Sequence, residues 1–201
     1  MSKSEFQSAT DVSRETLEKL EIYAALLEKW QKAVNLVSKS TIPDLWNRHM
    51  LDSFQILKFA DAKAGTWIDL GSGAGFPAIV VAIASDFDVH VVESDMKKCL
   101  FMREVSRETS APITVHNSRI EAVEPFKADV ISARALAPLD KLLGYAIPFA
   151  NEKTEFLFLK GQDVDGELTN AAKCWSMEPI KHQSLSSSEG CILKIKNVSL
   201  L

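Results

Sequence analysis

The chain has 201 residues, 46% of them hydrophobic, enough for one core and one domain with an appendage. Its net charge of −4 argues against indiscriminate nucleic-acid binding, and its apolar runs are strand-length, well under the roughly 18 residues of a membrane span. Cys99, Cys174 and Cys191 are odd in number, widely spaced and without a C-x-x-C pair, so neither a disulfide framework nor a metal site is expected.

The start, Met1-Ser2-Lys3-Ser4-Glu5, lacks the charged-then-apolar layout of a signal peptide. With the cysteine usage, this leads to an expected cytoplasmic location. The first sixty residues read as helical. An apolar stripe at Leu17, Leu20, Ile22, Tyr23, Leu26, Leu27 and Trp30 has helical spacing, with Thr10 or Ser13 as its cap. Near Pro43 the chain breaks, and Asp44 is placed to cap a second helix carrying Leu45, Trp46, Met50, Leu51, Phe54 and Leu57. Residues 1–28 hold six acids and three bases, whereas residues 29–60 hold five bases and two acids. Such a local positive excess fits either a folded RNA or a solvated helix face.

From Thr66 the pattern changes to alternating strands and helices. Strands are predicted at Trp67–Leu70, Val89–Val92, Ile113–His116, Val130–Ser132 and Phe156–Leu159, with helices at Pro77–Ala84, Met96–Ser106 and Leu139–Ala150. This alternation is the signature of a parallel sheet covered on both faces. The segments Cys174–Ile180 and Cys191–Val198, joined by the polar loop Ser184–Gly190, read as a terminal antiparallel pair. The expected organisation is an N-terminal helical extension over residues 1–60 packed on an α/β domain over residues 61–201.

The chemistry concentrates in Asp69-Leu70-Gly71-Ser72-Gly73-Ala74-Gly75-Phe76-Pro77, at the end of the first predicted strand. Glycines at alternate positions let the backbone turn tightly and approach a ligand closely, and a helix N-terminus follows. The dinucleotide fingerprint G-x-G-x-x-G needs glycine where Phe76 stands. Asp69 would repel a pyrophosphate but suits a cation. Glu93 ends the second strand twenty residues past Gly73, where a carboxylate can accept both ribose hydroxyls. The cofactor expected from these residues is S-adenosylmethionine, whose sulfonium and ammonium are both positive.

Several separated motifs then resemble one family, the bacterial small-subunit ribosomal RNA methyltransferase G, also called glucose-inhibited division protein B. They are Lys29-Trp30-Gln31-Lys32-Ala33-Val34-Asn35-Leu36, Arg48-His49-Met50-Leu51-Asp52-Ser53, the Asp69–Pro77 turn, Glu93-Ser94, Ser118-Arg119-Ile120-Glu121, Arg134-Ala135-Leu136-Ala137 and Leu159-Lys160-Gly161-Gln162. Their order and spacing cover the chain from about Leu26 to Val198. The resemblance implies a Rossmann-like class I methyltransferase fold, with a mostly parallel seven-stranded sheet and an antiparallel terminal strand. It implies methyl transfer to N7 of guanosine 527 in the 530 loop of 16S ribosomal RNA, with the RNA or the small ribosomal subunit as partner. It also implies that Gly71 and Phe76 line the cofactor, that Ile120 and Glu121 flank its adenine, and that Arg134 closes the site. Gly73, Gly75, Asp69 and Glu93 complete the cofactor set. One departure is Ala133, which precedes Arg134 where serine is common in the family.

Guanine N7 carries an in-plane lone pair and no proton, so its methylation needs no general base, and no catalytic acid or base is assigned. Pro-Cys and Asn/Asp-Pro-Pro-aromatic motifs, which serve other nucleobase methylations, are absent. Arg48, His49, Arg119 and Lys160 are the substrate-side candidates: Arg48 and Arg119 for phosphate, His49 for a base, and Lys160 as a strand-end residue. A small-molecule methyltransferase on the same scaffold, or an RNA-binding assembly module with a retained pocket, remains open. One domain makes a monomer the expected state.

Overall fold

The computed structural model describes all 201 residues. Its strands are β1 (Ala64–Leu70), β2 (Asp86–Glu93), β3 (Ile113–Asn117), β4 (Val130–Arg134), β5 (Glu155–Lys160), β6 (Trp175–Gln183) and β7 (Cys191–Leu200). They form one sheet in the order β3-β2-β1-β4-β5-β7-β6. The first five run parallel, and β7 is antiparallel to both β5 and β6. The chain extends from β1 toward β2 on one side and returns to place β4 on the other. That reversal leaves a crevice at the carboxyl ends of β1 and β4, where open α/β sheets bind ligands.

The helices are α1 (Lys3–Thr10), α2 (Arg14–Trp30), α3 (Asp52–Phe54), α4 (Ala78–Ala84), α5 (Met96–Thr109), α6 (Leu139–Ala146) and α7 (Val164–Ala171). The strands lie close to the predicted runs. Ser13 caps α2 by accepting from the Thr16 amide at 3.0 Å. α7 and the single turn Ile120–Ala122 lie in segments where no helix is expected, and α1 falls within the sixty residues read as helical but ahead of their apolar stripe. α1 begins in a capping box between Ser2 and Glu5, and its one buried side chain, Phe6, packs against Trp46 and Phe54.

The second N-terminal helix is the main departure from expectation. Residues 39–58 form a 3-10 turn (Lys39–Asp44), a π-turn (Trp46–Leu51), α3 and a second 3-10 turn (Gln55–Lys58). Asp44 does not cap a continuous helix: its carboxylate takes the N-terminal ammonium and the Asn47 side-chain amide, both at 3.0 Å. A π-turn widens the helix locally and recurs at functional sites; here it carries Arg48 and His49.

Alternation along the central strands divides the core. Trp67, Val89, Val91 and Val130 face a cluster of 34 buried side chains shared with α1, α2, the 39–58 segment, α4 and α5. Ile68, Leu70, Val92 and Ile131 face a second cluster with α6 and α7. α4 is apolar on all sides (Ala-Ile-Val-Val-Ala-Ile-Ala) and almost wholly buried between sheet and N-terminal helices.

Candidate active site

The glycine turn opens directly from β1. Gly71, Gly73 and Gly75 have φ of +66°, +58° and +93°, a region that side chains with a Cβ rarely enter. Their surroundings differ. A Cβ at Gly71 would strike Leu136 at 2.5 Å, and one at Gly75 would strike Ile79 at 2.4 Å. At Gly73 the nearest atom is the Gly71 carbonyl oxygen at 4.0 Å. The outer glycines are therefore packed against side chains, while the middle one faces open space, as a ligand cradle requires. The Gly73 amide donates to Glu93 Oε2 at 2.9 Å, and the Asp95 amide donates to Oε1 at 2.8 Å. Each carboxylate oxygen keeps lone pairs free for a hydroxyl. The loop after β3 is tied to the same point, because Asn117 Nδ2 and the Ser118 amide both donate to the Glu93 carbonyl, each at 3.1 Å. That loop carries Ile120, half-buried, and Glu121, exposed.

Asp69 lies beneath the turn with no exposed surface. Trp67 Nε1 can only donate, so Ser132 Oγ accepts from it at 2.8 Å and commits its single proton to Asp69 Oδ1 at 2.6 Å. Asp69 Oδ2 has no partner. Burial pushes the Asp69 carboxyl up to about 7, against the lowering effects of the Ser132 hydrogen bond and the Arg134 charge. A cation at the turn would meet its field rather than its oxygens. An orphaned buried carboxylate, an open glycine cradle and Glu93 at the crevice rim together fit S-adenosylmethionine.

Phe76 is itself buried at the centre of a cluster. It stacks on Tyr23 at 4.8 Å between centroids, lies 5.0 Å from the His49 ring, and has the Arg134 guanidinium 5.0 Å above it. Tyr23 Oη donates to the Ala74 carbonyl at 2.7 Å, so α2 clamps the glycine turn. Sequence reasoning took Tyr23 only as part of an apolar stripe, since its spacing marks the buried face but not its polar tip.

Beyond Arg134, at the carboxyl ends of β4 and β5, lies a cleft of about 780 Å³. Its walls bring together Arg48, His49 and Lys160, along with Asp52, Arg134 and Glu167. Arg48 is exposed. His49 is buried: its Nε2 is hydrogen-bonded to Thr41 Oγ1 at 2.8 Å, not to Asp52, and its Nδ1 is unpartnered. Burial, reinforced by Arg134 and Arg48, lowers the His49 pKa to about 3, so the ring is neutral at ordinary pH. The Lys160 ammonium is already engaged, donating to Glu167 at 2.6 Å and to the Ala137 carbonyl at 2.9 Å. It therefore shapes the Arg134–Pro138 turn. Arg119 is not brought into this cleft; it is exposed, and its side chain makes no hydrogen bond or ion pair. Asp52 and the loop Ser186–Gly190 also line the cleft. Short polar residues in a loop carry no periodic signal, so that loop was legible only as a connector.

No helix is long and apolar enough to cross a membrane, and no cluster of three or more His, Cys, Asp or Glu side chains could hold a metal ion. The model of the family described as rRNA small subunit methyltransferase G matches residues 16–195. The chain is 52% identical to the ribosomal RNA small subunit methyltransferase G of Paramagnetospirillum magneticum, over 99% of this chain and 97% of that protein. It is 46% identical to the protein of the same name from Rhodospirillum rubrum, over 98% of each. Among solved structures it is similar in fold to the ribosomal protein L11 methylase of Lactobacillus delbrueckii, with a TM-score of 0.59 and 18% identity over 72% of this chain and 76% of that one. It is also similar to a TehB-like S-adenosylmethionine-dependent methyltransferase from Corynebacterium glutamicum, with a TM-score of 0.57 and 12% identity over 73% and 87% of the two chains. The fold is thus that of the Rossmann-like S-adenosylmethionine-dependent methyltransferases, and the chain belongs to the rRNA small subunit methyltransferase G family.

Proposed function

We propose that this protein methylates N7 of guanosine 527, in the 530 loop of 16S ribosomal RNA, by direct in-line displacement. The reading rests on family membership and on one structural observation: a cleft wide enough for a nucleotide adjoins the glycine cradle, separated from it by Arg134.

When bound, S-adenosylmethionine supplies a methyl carbon activated by positive sulfur. Gly71, Gly73 and Gly75 would carry it on their backbone, Glu93 would accept its ribose hydroxyls, Ile120 and Glu121 would flank its adenine, and Arg134 with Phe76 would close the pocket. The contribution of the chain on the acceptor side is orientation. Guanine N7 has no proton to lose, so a neutral His49 held by Thr41 serves as a fixed wall and not as a base. The methylated base is cationic. The cleft answers that charge with the Asp52 and Glu167 carboxylates, while Arg48 stands at its exposed rim for a phosphate. The charges of Arg48, Arg134 and Lys160 are balanced by those of Asp52, Glu167 and Glu189, which suits a base better than a bare phosphate chain. A cytoplasmic monomer acting on the RNA or the small subunit completes the reading.

The test is methyl transfer from labelled cofactor to small subunits of a strain lacking this gene, followed by mass mapping of the modified nucleotide. Label at one guanine N7 in the 530 loop is expected; label elsewhere, or only on small molecules, overturns the assignment. Gly73→Arg should abolish cofactor binding in calorimetry, because the side chain enters the open face of the turn at a φ it does not favour. Unchanged binding would remove the turn from the cofactor site.

A further inference from the structure

The loop Ser184–Gly190, between β6 and β7, is held down over the cleft by three residues of the 46–58 segment. Asn47 Nδ2 donates to the Ser186 carbonyl at 3.1 Å. Gln55, fully buried, accepts from the Leu185 amide at 2.7 Å and donates to Ser184 Oγ at 3.0 Å. Asp52 Oδ1 accepts from Ser186 Oγ at 2.5 Å and from Gln55 Nε2 at 3.0 Å. The other oxygen of the same carboxylate, Oδ2, faces Arg134 Nη1 at 3.6 Å. Asp52 is the only carboxylate within ion-pair distance of Arg134, which in turn lies on Phe76 at the end of the glycine turn.

We propose that Asp52 is a positioning residue that links acceptor to cofactor: one oxygen fastens the strap over the acceptor cleft, the other aligns Arg134, so that each substrate strengthens binding of the other. This rests on the functional reading above, which places the acceptor in the cleft and the cofactor beside Arg134. The arrangement has the required form. Ser186, Ser187, Glu189 and Gly190 line the cleft, so an acceptor seated there touches the strap. A shift of Ser186 acts on Oδ1, and the rigid carboxylate carries that shift to Oδ2. The Arg134 pair at 3.6 Å is longer than a charge-assisted hydrogen bond of about 2.7–2.9 Å, leaving room to tighten. Both partners have only 20% of their side-chain surface exposed, so solvent screens the pair weakly. Coupling of this kind is reciprocal and typically ranges from about 5-fold to 150-fold.

The experiment measures the dissociation constant of S-adenosylhomocysteine, which has no methyl to transfer, with and without saturating small subunits from the strain lacking this gene. The wild type is expected to bind it about tenfold tighter with subunits present. In Ser186→Ala and Asp52→Asn that ratio should fall to about one, and Ser186→Thr, which keeps the hydroxyl, should restore it. In steady state, Ser186→Ala should raise KM for both substrates more than it lowers kcat. A wild type that methylates subunits but shows no change in cofactor affinity overturns the coupling. A wild-type ratio retained in either variant overturns the role of Asp52. If Asp52→Asn fails to fold, Ser186→Ala and its threonine rescue decide alone. A wild type that methylates no ribosomal RNA overturns instead the functional reading beneath.

Discussion

At the scale of single residues, Asp69 shows how a carboxyl group proposed to favour the cofactor's positive charge is held at a cost to stability. Its carboxyl is raised from its ordinary range to about 7 by burial. The folded state therefore holds a proton that the unfolded chain has released between about pH 4 and pH 7. Stability of the cofactor-free protein from this group is greatest below pH 4, falls as pH rises to about 7, and is flat above. Asp69→Asn removes the ionisation, so its melting temperature should fall less than that of the wild type between pH 4 and pH 8. The same variant should bind cofactor at least tenfold more weakly, because the field that favours a cation is gone. Thermal melts across pH, with calorimetry of cofactor binding, check both halves; parallel pH profiles for the two proteins would contradict the assignment. Asp69 was legible because an acid before a glycine turn is chemically pointed. Ser132, which fixes its orientation, was not, because one serine in an apolar strand gives no hint of the Trp67 indole and Asp69 carboxylate on either side of it.

At the scale of elements, α2 is as much a part of the proposed cofactor site as the turn it covers. The Tyr23 hydroxyl meets the Ala74 carbonyl inside the loop, and both are buried. Tyr23→Phe keeps the stack on Phe76 but leaves that carbonyl without a donor, at a cost of about 1–3 kcal/mol. Chemical denaturation should show this loss, and cofactor affinity should fall severalfold as the turn loosens. An unchanged affinity would mean that the turn holds its shape without α2. Periodicity revealed which face of α2 is buried, and the βα alternation revealed the parallel sheet, because both patterns come from local burial. The stretch from Leu45 to Leu57 was misjudged as a regular helix capped by Asp44 for a corresponding reason. Its apolar spacing is helical, while the forces that break it into 3-10 and π turns come from afar: the N-terminal ammonium on Asp44, and the strap on Asn47, Asp52 and Gln55. Strand-end motifs marked the glycine turn and Glu93, which the fold brings within hydrogen-bond distance, whereas the cleft beyond Arg134 depends on residues more than a hundred positions apart.

At the scale of the whole molecule, an ionic network on the antiparallel side of the sheet is tied to the N-terminal region by one hydrogen bond, from Lys194 to the Phe59 carbonyl. Lys194 of β7 is nearly buried, donating to the Phe59 carbonyl at 2.8 Å and pairing with Asp61 at 2.6 Å and Glu155 at 3.0 Å. Lys196 adds pairs to the same two carboxylates, and Glu155 Oε2 accepts the Asp61 amide at 2.7 Å. Lys194, then Lys196, hold the Asp61 carboxyl well below its usual range. This contribution is present above about pH 4 and is lost as pH falls through the lowered value. The network stands at the junction of residues 1–60 and 61–201, which also share the larger buried cluster. The two regions are therefore expected to unfold in a single calorimetric transition, followed equally by fluorescence and by far-ultraviolet dichroism. Lys194→Met leaves the buried Glu155 carboxylate with Lys196 as its only cation and should cost up to about 3–5 kcal/mol. Adding Glu155→Leu removes that under-compensated charge, and the double variant should recover most of the loss. Both variants should keep one transition, shifted as a whole. A split into two transitions, with the N-terminal helices melting first, would show that residues 1–60 are a separable lid and not a part of the folded unit that builds the cofactor turn.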